Sequence, residues 1–237
     1  MSPIYVPGKL VLKKDPVLAE PHYNNVTLLL HGNGTNGSTT ITDSSPSPKT
    51  VTAVGDAQIS TAQSKFGGAS IAFDGNGDYL TVPYNSGFQI GSGSFTVEFF
   101  FRLAANSTPS YGQSFVTVRN SGVSNGWSVS HYLGQISCAI AGQGSGLQGS
   151  IVLNTWQYAA LTYDGTNGRL FLDGTLLSTF AATPVDNTNA LVVCNEPTFD
   201  NNRSSNCFID ELRITKGVAR YTANFTTPAA PFPEATG

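Results

Sequence analysis

"FIDELRI", residues 208–214, reads as a β-strand. Successive side chains of a strand point to opposite faces. Phe208, Asp210, Leu212 and Ile214 therefore share one face, and Ile209, Glu211 and Arg213 share the other. Three large apolar residues mark the first face as buried, with the Asp210 carboxylate among them. A carboxylate left unpaired in such a place is strongly destabilising, so Asp210 needs partners. The candidates are backbone N–H groups of a crossing loop, a cation from Lys216 or Arg220, or a bound calcium ion that Asp43 of "TITDSS" helps to hold. Backbone pairing is the leading expectation, and it ties a terminal strand to a loop.

The same reading extends along the chain. "VTLLL" (26–30), "GASIAF" (68–73), "SFTVEFFFRL" (94–103), "GWSVSHY" (126–132), "GQISCAI" (134–140), "TWQYAALTYD" (155–164), "GRLFLDG" (168–174), "TLLSTF" (175–180) and "ALVVC" (190–194) are short apolar or alternating runs. Turn residues separate them. In 94–103, Phe95, Val97, Phe99, Phe101 and Leu103 face one way, and Thr96, Glu98, Phe100 and Arg102 the other. "DGTNG" and "LDGT" carry the Asp-Gly chemistry of tight hairpins. Only "GVARYT" (217–222) has the makings of a helical turn. The fold class this predicts is all-β, a two-sheet antiparallel sandwich. Its core is expected to hold Phe95, Val97, Phe99, Phe101, Leu170, Leu172, Phe208, Leu212 and Ile214.

Residues 1–24 stand apart, with Pro3, Pro7, Pro16 and Pro21 and the cations Lys9, Lys13 and Lys14. Prolines disfavour a central strand. The segment is expected to be an extended N-terminal arm, with a first edge strand on the sandwich as the alternative. Residues 25–237 form the single remaining domain.

The 237 residues carry a formal net charge of −3, and only 11% are charged. No basic cluster longer than Lys13–Lys14 is present, which argues against nucleic acid as a partner. No apolar run approaches the length of a membrane span. The N-terminus lacks the pattern of a signal peptide. The three cysteines, Cys138, Cys194 and Cys207, are too few for a disulfide framework, although Cys194 and Cys207 flank one loop and could face each other across it.

Catalytic constellations are scarce. His22, His31 and His131 are scattered, and the glycine-rich stretches open no helix, so they read as turns. Asp210 and Glu211 are adjacent and point to opposite faces. They cannot act as the paired acids of a glycosidase. "DGNGD" (74–78) resembles the start of a calcium loop but lacks the distal bidentate Glu, and reads as a plain turn. No enzymatic activity and no cofactor are expected. A structural calcium is the less favoured alternative.

Loops at the ends of a sandwich carry binding function. "ANSTPSYGQS" (105–114), with Asn106 and Tyr111, has the composition of a contact site. So has "NEPTFDNNRSSN" (195–206), with Phe199, Asp200, Asn201, Asn202 and Arg203. Sugars are commonly held by an aromatic face with Asn, Asp and Arg around it, and the second loop has both. An ordinary solvated loop and a subunit contact are the alternatives.

"LLLHGNGTNGSTTITDSS", "AQISTAQSKFGGASIAFDGNGDYLTVP", "SFTVEFFFR", "WQYAALTYDGTNGRLFLDGTLLST" and "CFIDELRITKGVARYTANFTTPAAPFP" resemble, in order, the blocks of laminin-G-like, concanavalin A-like jelly rolls. The versions they resemble most are those of bacteriophage virion proteins. The likeness covers about residues 25–233. The chain departs from it at Asn33, where the family often has an acid, and in lacking the paired-acid strand of the glycosidase members. The resemblance implies a non-enzymatic structural protein of a phage particle, a capsid decoration or tail surface protein assembled in the host cytoplasm. Its implied partners are other virion proteins, a second copy of itself, and a host-surface glycan. A lectin module not tied to a virion is the alternative, and a glycan-cleaving enzyme ranks below it.

Overall fold

The computed structural model describes residues 4–6, 9–11, 20–106, 112–119, 125–196 and 204–234. Two antiparallel sheets face each other. The eight-stranded sheet contains, in spatial order, β15 (Thr175–Ala181), β14 (Asn167–Leu172), β13 (Gln157–Tyr163), β8 (Phe95–Leu103), β17 (Asn206–Lys216), β6 (Ser70–Asp74) and β5 (Gln58–Ser60). Its remaining strand, β3 (Val26–Leu30), pairs with the second half of β17. The seven-stranded sheet runs β12 (Gln143–Gly144), β11 (Gln135–Ile140), β10 (Trp127–Tyr132), β9 (Gln113–Thr117), β16 (Leu191–Val193), β7 (Tyr79–Val82) and β4 (Thr52–Val54). Single 3-10 turns at Tyr23–Asn25 and Ser86–Phe88 are the helical content among the described residues. The expected all-β sandwich is what forms. "GVARYT" lies in neither helix nor strand.

The hairpins follow from local chemistry. Asp173 and Gly174 both take positive φ (51° and 78°) between β14 and β15, as do Leu133 and Gly134 (50° and 75°) between β10 and β11. That is the mirror-image turn whose twist matches a two-residue hairpin.

Within the arm, β1 (Ile4–Val6) and β2 (Lys9–Val11) pair with each other as a separate two-stranded ladder. Lys9 lies in β2. Lys13 and Lys14 lie outside the described residues. From Glu20 onward the chain packs on the sandwich, where the Glu20 carboxylate is buried.

The core between the sheets holds Phe95, Val97, Phe99, Phe101, Leu170, Leu172, Leu212 and Ile214, as expected. Phe208 does not belong to it. β17 pairs Asp210 with Phe100 but Arg213 with Glu98, so one extra residue is accommodated between them. Glu211 sits at this bulge with φ of 54°. A bulge shifts the alternation by one position. Cys207 and Ile209 point into the core before it, and Leu212 and Ile214 after it. Phe208 and Asp210 consequently lie on the outer face of the sheet, and Phe208 is only partly buried.

Asp210 meets the backbone, as the strand argument anticipated. Its Oδ2 accepts from the amides of Lys65 (2.7 Å) and Phe66 (3.1 Å). The outer face around it carries a second apolar layer of Val26, Leu29, Phe100, Tyr158, Ala160, Phe171 and Phe232. The C-terminal segment covers part of that layer: Phe225 stacks on Tyr221 at 3.5 Å and meets Phe171 edge-on.

Candidate functional site

Both loops with binding composition grow from the same end of the sandwich. Tyr111, Phe199, Asp200, Asn201, Asn202 and Arg203 lie outside the described residues, but the stems of their loops are placed. Ala105 and Asn106 follow β8, Gln113 opens β9, and Ser204 and Asn206 lead into β17. These five line one cavity of about 190 Å3 together with Asp74 and Gly75 of the "DGNGD" turn. Gln113 Nε2 donates to the Ser204 carbonyl (2.6 Å), and the Ser204 hydroxyl accepts from Gly77 N (3.1 Å). The two stems and the turn are thereby fastened into one rim.

Asp74 and Asn206 are paired in register across β6 and β17 and also line a second, larger cavity of about 420 Å3. Its other walls are Asp56, Gln58, Ala72, Phe73, Asp78 and Phe208. The sheet register explains this grouping. Gln58, Ala72, Phe208 and Arg102 occupy one row across β5, β6, β17 and β8. Ala72 is small, so the Phe208 ring has no bulky neighbour on that side. An aromatic ring, two amides and carboxylates converge on one open groove, the set of groups that holds a sugar ring by its C–H face and its hydroxyls.

Of the carboxylates, Asp78 is structural. Its Oδ1 accepts from Asp56 N (2.6 Å) and its Oδ2 from Asp74 N (2.9 Å). Burial raises its pKa, with the neighbouring charges of Asp74 and Asp56 adding to the rise and the two amides opposing it. Asp74 Oδ1 accepts from Asn76 N (2.7 Å) within the turn. Among the described residues no three His, Cys, Asp or Glu side chains group as a metal site. Beneath the rim, His131 Nε2 bonds the Ser205 hydroxyl (2.9 Å), and burial pushes its pKa down to about 3. This imidazole is neutral and supports the stem.

Two further polar clusters lie on the outer face of the eight-stranded sheet. Glu98, 0% exposed, accepts from Arg213 Nε (2.8 Å), from Tyr221 (2.7 Å) and from Tyr158. Arg213 also reaches Glu20 (2.6 Å), which Arg220 bonds in turn (3.0 Å). Two acids and two guanidiniums thus balance. In the second cluster, Glu211 lies 2.8 Å from His31 Nδ1 and accepts from Phe232 N (2.8 Å), and His31 Nε2 lies 3.1 Å from Glu234. Burial disfavours the imidazolium, but the Glu211 hydrogen bond and the charges of Glu211, Glu234 and Asp210 outweigh it and raise the His31 pKa.

The sequence reading placed recognition in 195–206 and did not connect with it Gln58, Asp74 or Phe208, which line the adjoining groove. Phe208 was assigned to the core because the strand was read without its bulge, which shows only in the register of β17 against β8.

Comparison with known proteins agrees with this architecture. Residues 74–220 match the concanavalin A-like lectin/glucanases superfamily in its third laminin G form. The chain belongs to that superfamily. No curated protein matches it in sequence. Among solved structures, it is similar to the binding domain of Paraclostridial Mosquitocidal Protein 1, at 16% identity and a TM-score of 0.65 over 83% of this chain and 50% of that one. It is also similar to botulinum neurotoxin type C, whose cell entry is described as dependent on two ganglioside molecules (17%, 0.60, 83% and 49%). A third is the binding domain of botulinum neurotoxin DC in complex with SialylT (17%, 0.58, 83% and 49%). The laminin-G-like protein spans about half the length of these chains, and at such identities the likeness is one of fold.

Proposed function

We propose that this laminin-G-like protein is a non-enzymatic glycan-binding module carried on the surface of a bacteriophage particle. The observation that carries the glycan reading is the open Phe208 ring, set in one groove with Gln58, Asp56, Asp74 and Asn206. Glycan recognition by structural neighbours, ganglioside in one case and SialylT in another, supports the same class of ligand. Of the groove's carboxylates, Asp78 and Asp74 accept backbone amides. The two amides on Asp78 support a structural rather than a catalytic role for that carboxylate, in keeping with the non-enzymatic reading. The particle assignment rests on the ordered likeness of the sequence blocks to phage virion proteins. In it, the arm with Lys9, Lys13 and Lys14 attaches to neighbouring virion proteins and the rim faces outward.

A glycan array probed with the full chain and with Phe208→Ala tests the binding role. Binding to at least one glycan class by the wild type, weakened about tenfold or more in the variant at unchanged fold, is expected. No binding to any glycan, or binding indifferent to Phe208→Ala, refutes the groove assignment. Mass spectrometry of purified phage particles tests the second part, and absence of the chain from them refutes it.

A further inference from the structure

Two thiols meet across the sandwich just beneath the rim. Cys194 follows β16 of the seven-stranded sheet and Cys207 lies in β17 of the eight-stranded sheet, thirteen positions apart in the chain, with their Sγ atoms 3.1 Å apart. Both are fully buried and both are free thiols. The backbone at Cys194 takes φ of 65°, which a residue with a Cβ adopts only when its surroundings enforce it. They do: its amide donates to the Phe115 carbonyl (2.8 Å) and its own carbonyl accepts from Ser205 N (3.0 Å). The bend holds the sulfur against its partner on the other sheet. Nothing in the glycan reading uses this arrangement.

We propose that Cys194 and Cys207 are a modification site, an oxidisable pair that forms a disulfide between the two sheets at the base of the rim. With a low-molecular-weight disulfide such as glutathione disulfide as oxidant, one protein thiolate attacks a sulfur of the oxidant. The oxidant's S–S bond breaks, and one glutathione leaves as the thiol. The second protein thiolate then attacks the protein sulfur of the mixed disulfide and expels the second glutathione. Two protein thiols become one disulfide while one glutathione disulfide becomes two glutathiones, each carrying away one of the two protons. Burial holds the Cys194 thiol well above its ordinary pKa. Because the thiolate is the nucleophile, the reaction waits on local opening and is slow in the native protein. The ring so closed contains Asn195, Ser204, Ser205 and Asn206, the stem of the rim loop. A crosslink of this span removes conformations from the unfolded chain.

The test uses the full chain, incubated either with excess glutathione disulfide or with a phosphine reductant, at a temperature just below its melting transition. It is then denatured, alkylated with iodoacetamide, and examined by intact mass and peptide mapping. The oxidised sample is expected to be lighter by two hydrogens before alkylation, to alkylate at Cys138 alone, and to yield a peptide joining Cys194 to Cys207. It is expected to melt about 5–10 °C higher than the reduced sample, and a Cys138→Ala variant is expected to show the same shift. Alkylation of all three cysteines after oxidation, a crosslink involving Cys138, or a stable glutathione adduct would overturn the proposal.

Discussion

Asp210 and Glu211 are neighbours whose carboxylates serve different contacts, and single residues of this kind hold the outer face together. Asp210 accepts two loop amides, yet burial raises its pKa from 3.8 to about 7 against their pull. A carboxyl whose folded pKa exceeds its unfolded one stabilises the fold in its protonated form. That contribution is full below about pH 4 and is lost as pH rises through about 7. His31, raised above 6.5 by Glu211 and Glu234 in spite of burial, adds a loss of the same sign that starts near its ordinary value and runs upward. The urea midpoint is therefore expected to fall between about pH 5 and about pH 8, and Asp210→Asn to flatten the lower part of that fall. An Asp210→Asn profile that overlays the wild type contradicts the assignment. Glu98 gives a sharper test. Glu98→Gln leaves Arg213 and Arg220 short of a buried counter-charge and is expected to cost about 3–5 kcal/mol in urea unfolding. The alternation of 94–103 placed Glu98 opposite the core, which is correct. That this second face is also buried was not legible, because its partners Arg213 and Arg220 lie far along the chain and no local pattern announces them.

At the scale of elements, β17 is the strand that organises the molecule. It pairs with β8 on one side, and with β6 and then β3 on the other. The bulge at Glu211 lets its two halves serve both layers, sending Ile209 and Leu212 into the core and Phe208 into the groove. Ile209→Ala is thus expected to cost about 2–5 kcal/mol as a core truncation, whereas Phe208→Ala is expected to cost much less. Equal losses by chemical denaturation would mean that the strand runs without a bulge. Strand existence, the Asp-Gly hairpin and the core face of β8 were legible, since each depends on residues within one turn or one strand. The bulge was not. A one-residue slip in alternation is invisible when both faces carry apolar side chains, and "FIDELRI" has apolar residues on each.

For the whole molecule, the ends of the chain behave differently. The C-terminal segment is part of the fold: Phe232 is buried, with the Arg213 guanidinium 3.7 Å from its ring centre. The N-terminal ladder β1–β2 pairs with neither large sheet among the described residues. Deletion of residues 1–19, which spares Glu20 and its two arginines, is expected to leave the melting temperature within a few degrees of wild type while abolishing incorporation into particles; normal incorporation would remove the arm's proposed role. The two-layer architecture follows from composition and turn spacing. The groove does not, because Gln58, Asp74 and Phe208 come from three strands and are brought into one place only by register. The role proposed for this groove is to bind glycan. Its most direct test is an amide chemical-shift titration of the full chain with the tightest array ligand. Saturable shifts clustered at Gln58, Asp74, Asn206 and Phe208 are expected. Shifts confined to the opposite sheet, around Ser128, Ser130 and Ser137, would contradict it.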